Sequence, residues 1–134
     1  MSKIDDNNED RTGYEDRYVD MFGTLPPLPG KRIAYLSKAS PDLLARGEKA
    51  RLNAFANNAF SEKTTQLILT ALLAAQASPA VKWHIRAARR AGASEKEICD
   101  AIELAGAVAS LGVLNTSYAV LHDLGDDDGK GETP

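Results

Sequence analysis

Two histidines, one cysteine and a few arginines set among apolar neighbours are the groups with which this chain could do acid–base or nucleophilic chemistry. The best placed is His84, in the run VKWHIRAARRAG (81–92). At 100° per residue it is centred among Ala80, Ala87, Ala88 and Ala91, and alanines leave room for a small ligand to reach the ring. Partial burial lowers an imidazole pKa from about 6.5, which keeps the ring neutral and basic near neutral pH. The same placement also describes a core histidine bonded to a backbone carbonyl. Lys82, Arg86, Arg89 and Arg90 share the opposite side, which reads as a solvated or subunit-facing surface directed away from His84.

Arg51 is the second candidate. It falls in the apolar arc of its helix between Leu44, Ala54 and Phe55, with Glu48 nearby on that arc. A buried guanidinium must be paired. An ion pair with Glu48, a bond to a neighbouring subunit, or the carboxylate of a substrate would each satisfy it, the last suiting the planar fork of arginine. Asn115, Tyr118 and His122 share a face of the last helix, and the helix dipole accounts for His122 in its final turn. Two histidines without H-x-x-x-H spacing or a cysteine partner argue against a metal site. Cys99 reads as a helix-packing thiol. No serine triad motif, phosphate loop or dinucleotide fingerprint occurs.

The elements that must position these groups are all helical. Tyr14–Phe22 is a short helix, LPPLPG (25–30) breaks the chain, and residues 31–38 form another turn or two. Ser40-Pro41 opens a helix to about Asn58, Ser61 caps Glu62–Gln76, and Ser78-Pro79 opens 79–91, ended by Gly92. Ser94 and Glu97 make a capping box for 95–110, Gly112 interrupts, and a last helix runs 113–123. The pattern predicts an all-α compact bundle of five to six helices. Helix 62–76 is apolar around most of its circumference, with Glu62, Lys63, Gln66 and Thr70 as a polar strip, and is expected to be the central buried helix. Helix 95–110 carries a stripe of mostly small residues, Ile98, Ala101, Ile102, Ala105, Val108 and Ala109, that admits close helix approach.

Composition frames this. The 134 residues are 43% hydrophobic but only 6% aromatic, so the core is built from Ala, Leu, Ile and Val. So few large apolar groups would leave a monomer marginal, and a homo-oligomer is expected. A net charge of −3 argues against nucleic-acid binding. A single cysteine excludes an internal disulfide. The start lacks the apolar core of a signal peptide, no apolar run is expected to approach the length of a membrane span, and a cytoplasmic domain without membrane partners is the resulting expectation. Residues 1–12 and the Gly- and Asp-rich 125–134 read as disordered tails around a single domain, 13–124.

The run EKTTQLILTALLAA, followed by VKWHIRAARRAGASEKEICDAIELAGAVASLGVLN, resembles the carboxymuconolactone decarboxylase family of the alkylhydroperoxidase-like superfamily. The likeness covers 61–123 closely and 14–60 loosely. The peroxidase branch carries C-x-x-C just before the histidine; here the stretch is AQASPAVKWH, and thiol peroxidase chemistry is excluded. The decarboxylase branch, which the HIRAA run is nearest, implies removal of CO2 from a small carboxylated lactone without any cofactor. It implies His84 as proton carrier, Gln66 hydrogen-bonding a developing enolate oxygen, Arg51 holding a carboxylate, Trp83 walling the pocket at a subunit contact, and a trimer or hexamer. Three departures stand out: Gln66 replaces the family's usual glutamate, Leu114 follows Gly112-Val113 where proline is usual, and Ser110 replaces an aromatic residue. The glutamate's loss also fits a non-catalytic relative that keeps the fold.

Overall fold

A computed structural model describes residues 11–131, and among them it is all-helical. Six helices follow in order: α1 Arg11–Phe22, α2 Pro27–Ala39, α3 Pro41–Ala56, α4 Glu62–Ala75, α5 Val81–Arg90 and α6 Glu95–Leu124. Residues 1–10 of the expected N-terminal tail lie outside the described residues, while Arg11 and Thr12 already belong to α1.

Serine caps set three of the helix starts. Ser40 Oγ accepts from the Leu43 amide, Ser61 Oγ from Thr64, and Ser94 with Glu97 forms the full reciprocal box, each bond 3.0 Å. The Ser78-Pro79 start differs from expectation, because residues 78–80 form a tight turn with i to i+3 bonds and regular helix begins at Val81. α4 ends in a Schellman closure, Ser78 N–H to Leu73 O at 3.0 Å and Ala77 N–H to Ala74 O at 2.9 Å. Its left-handed position is held by Ala77 at φ 50°, a residue that bears steric strain there.

Two expected breaks are absent. α2 starts inside LPPLPG, since Pro27 and Pro29 occupy first-turn positions whose N–H groups would have had no intrahelical partner. α6 runs through Gly112 for 30 residues. A lone glycine costs a helix only about 1 kcal/mol, and with Leu114 in the place of proline nothing obliges the chain to stop.

The helices form two groups. α1, α2 and α3 pack together around Tyr14, Tyr18, Phe22, Ile33 and Leu44, the first three spaced four apart on one face of α1. α4 lies along both α5 and α6, and α5 also meets α1, joining the groups. The expectation that α4 is buried by its apolar face is reversed within one chain. Its buried residues are Thr65, Gln66 and Thr70, whereas Ile68 and Leu72 are exposed. α6 likewise leaves Leu104, Val108, Leu111, Val113, Tyr118 and Leu121 exposed. The inward polar strip is the one that reaches His84, so the chain spends this face of α4 on the site rather than on apolar packing. α6 is also long and apolar enough to cross a membrane by length and composition, with a mean hydropathy of 1.5 in its most apolar window, contrary to the expectation from sequence.

Candidate active site

The junction between the two helix groups holds a cavity of about 650 Å³. α1 supplies Tyr18 and Phe22, Pro26 with the first turn of α2 the proline-rich residues 26–29, and α3 Arg51 and Phe55. The turn 78–80 and Lys82, Trp83 and His84 of α5 close the other side. Its walls are thus mostly rings and prolines, with His84 and Arg51 as the less exposed of its ionisable nitrogen groups and Lys82 as the exposed one.

His84 is buried between two aromatic edges. The Phe22 and Phe55 rings stand nearly perpendicular to the imidazole, with centroids 5.3 and 5.8 Å away. Its Nδ1 lies 2.8 Å from Oε1 of Gln66. Gln66 donates from Nε2 to Met21 Sδ at 3.4 Å, and sulfur can only accept, which directs the amide oxygen at the ring. Nδ1 therefore carries the hydrogen, and Nε2 keeps a lone pair for the cavity. Burial, and secondarily the positive charge of Arg51, push the imidazole pKa down to about 4. At neutral pH the ring is an uncharged base.

Gln66, expected to partner an enolate oxygen, meets His84 instead of lining the cavity. It is buried in α4 behind the imidazole, outside the cavity lining, and fixes the ring from its far side. Thr70 holds the same turn by donating to the Gln66 carbonyl at 2.7 Å. Trp83 does wall the cavity, edge-on to Phe22 at 6.2 Å.

The Arg51–Glu48 ion pair anticipated as one reading does not form. Arg32 takes Glu48 instead, and Tyr18 donates its hydroxyl to the same carboxylate oxygen at 2.9 Å while accepting from Arg32 at 2.7 Å. Glu48 Oε2 has no hydrogen-bond partner. Arg51 sits over the Tyr18 ring, its Cζ 3.8 Å from the centroid, and donates to Met21 Sδ at 3.5 Å. Among the described residues no carboxylate pairs with it. Burial lowers its pKa despite the attraction of Tyr18 and Glu48, and burial raises that of Tyr18.

The basic side of α5 is not wholly turned away. Lys82 lines the cavity mouth with its ammonium 5.1 Å from the Trp83 ring, and Arg86 flanks the same ring at 5.2 Å. Arg89 pairs with Glu95, and Arg90 donates to the Asp20 carbonyl. Cys99 is exposed, which corrects its reading as a packing thiol. Asn115, Tyr118 and His122 lie exposed on α6, away from the cavity lining. Tyr18, Met21, Phe22, Arg32 and the LPPLPG segment were not singled out as site residues from sequence. The four-residue spacing of Tyr14, Tyr18 and Phe22 was the available signal, but it reads as core until α5 is docked against it.

The model of the carboxymuconolactone decarboxylase family matches residues 41–123. The match spans more than half the chain and takes in α3 to α6, and the protein belongs to this family. No curated protein and no solved structure gives a significant match.

Proposed function

We propose that the protein is a cofactor-independent lyase or isomerase that moves a proton on a small carboxylated, cyclic or lactone substrate. The observation that carries this reading is a partly buried guanidinium, paired with no carboxylate among the described residues, sharing a cavity with a neutral imidazole whose Nδ1 is taken by Gln66. Arg51 holds the substrate carboxylate. His84 is the acid–base, Gln66 positions its ring, and Trp83 forms the wall.

Two balanced reactions fit this site. In a proton shift, the bond from hydrogen to the carbon next to a carbonyl breaks, Nε2 takes the proton, and the electron pair enters the carbonyl as an enolate. The imidazolium then returns the proton to a conjugated carbon. In a decarboxylation, Nε2 first takes a proton from solvent, the bond to CO2 breaks, its electron pair enters the unsaturated carbonyl, and the imidazolium gives that proton to the carbon, returning to neutral imidazole. The conjugated substrate supplies its own electron sink in both cases. A non-catalytic binding role is the second reading, supported by Gln66, which cannot carry a proton onward as the family's usual glutamate could.

The exposed apolar faces of α4 and α6 support a homo-oligomer in which a second copy covers α6. Gly106, Ala107 and Ala109 allow a close helix approach on that surface.

Turnover of candidate lactone and enoyl carboxylates, screened by NMR, tests the enzyme reading. His84→Gln should lower the rate by roughly 10²–10⁴-fold with folding and assembly unchanged. A fully active His84→Gln variant overturns it.

A further inference from the structure

The charge and lining of the cavity point to a narrower ligand class than carboxylates in general. We infer that the site takes a flat, largely apolar monocarboxylate, with its single charge at depth on Arg51 and its hydrocarbon body against the aromatic and proline walls. This rests on the reading of the cavity as the substrate site.

Three observations carry the inference. First, Glu48, the carboxylate whose charge acts on Arg51, is already neutralised. Glu48 is bound by Arg32 and Tyr18 and lies outside the cavity lining; among the described residues no carboxylate lines this cavity, and of its two cations Arg51 is the partly buried one. A monoanion balances it. A second carboxylate beside the Phe22 and Phe55 rings would find no second cation there, and a buried charge without one is expensive. Second, Lys82 offers no help inside, because it is exposed at the mouth with its ammonium over Trp83. Third, His84 presents only an acceptor at neutral pH, and Gln66 is turned to the far side of the ring, so hydroxyl-rich ligands find few partners. The free energy available to an uncharged part of the ligand is therefore apolar burial and ring contact.

Size-matched probes separate the possibilities: naphthalene-2-carboxylate, naphthalene-2-carboxamide and naphthalene-2,6-dicarboxylate, titrated into the intact protein at pH 7.5. Calorimetry reads affinity, and the His84 Hε1 resonance, assigned with His84→Gln, reports occupancy of the cavity. The monocarboxylate should shift that resonance and bind at least roughly tenfold tighter than the carboxamide and the dicarboxylate, in keeping with the strength of a charge-assisted bond. In Arg51→Gln the advantage over the carboxamide should shrink to about twofold or less. Tighter binding of the dicarboxylate, lost in Lys82→Gln, overturns the monocarboxylate class while leaving the site intact. Equal binding of carboxylate and carboxamide with a shifted His84 signal overturns the role of Arg51. If no probe moves the His84 resonance, the reading of the cavity as the substrate site falls, and this inference with it.

Discussion

A histidine held neutral by burial makes stability depend on pH, and His84 allows the size of that dependence to be worked out. In the unfolded chain its pKa is the ordinary value of about 6.5. In the folded protein burial and Arg51 lower it to about 4. Between these values the unfolded chain binds a proton that the folded protein does not, so acid favours unfolding. The stability due to the neutral ring is fully present above pH 6.5 and declines as pH falls toward 4; below that both states are protonated and the loss is complete. At about 1.4 kcal/mol per pH unit, the interval corresponds to roughly 3 kcal/mol. Carboxylates titrate in the same region, so the informative quantity is the difference between wild type and His84→Gln. Urea unfolding followed by circular dichroism from pH 7.5 to 4, at one fixed protein concentration, should show that difference shrinking or reversing by roughly 3 kcal/mol as acid is added. Parallel curves for the two proteins, or an Hε1 titration of His84 with a midpoint near 6.5, would refute the reasoning. Arg51→Gln should raise the midpoint only part of the way, since burial is the larger cause.

Two further outcomes are expected. Light scattering at micromolar concentration should give a mass well above 14.4 kDa, and Leu104→Asp with Val108→Asp on the exposed face of α6 should shift it to the monomer; a clean wild-type monomer, or protein recovered only with detergent, would exclude the proposed α6 interface between copies. Gln66→Glu puts a carboxylate against Nδ1 and should raise the His84 midpoint above the wild-type value by NMR titration, because a negative neighbour favours imidazolium; an unchanged or lowered midpoint would mean that residue 66 does not contact the ring.

The local signals in the sequence were strong where one residue type has one physical use. Ser61, Ser94 and Glu97 mark their helix starts, and Gly92 marks the end of α5 with φ 93°. They were misleading where the outcome depends on what is missing nearby. Gly112 looks like a break only if proline follows, and Pro27 and Pro29 look like one only if they are not in a first turn. His84, Arg51 and Trp83 could be placed on faces by helical spacing, and all three line one cavity. Spacing could not show which face of α4 turns inward. An apolar arc is the default interior, and here Gln66 and Thr70 occupy it instead. Nor could it show that Arg32 would take Glu48, because that pairing joins α2 to α3 and depends on their packing angle.

The arrangement of charge around Arg51 links binding to chemistry. From the α2 surface inward the contacts run Arg32, Glu48, Tyr18, Arg51, Met21, Gln66 and His84, so five helices contribute to one connected path. Along it Arg32 and Glu48 cancel, which leaves Arg51 as an excess positive charge beside a neutral imidazole. That charge helps hold His84 deprotonated in the empty site. A substrate carboxylate on Arg51 would offset it and add a negative charge of its own, and both effects raise the affinity of Nε2 for a proton. Under the proposed function the ring would be a weak base in the free protein and a stronger one with substrate bound, holding its proton for the carbon that receives it. A neutral ligand of the same shape would leave Arg51 uncompensated and His84 a weak base. Recognition of the carboxylate and readiness for proton transfer are, on this account, the same electrostatic event.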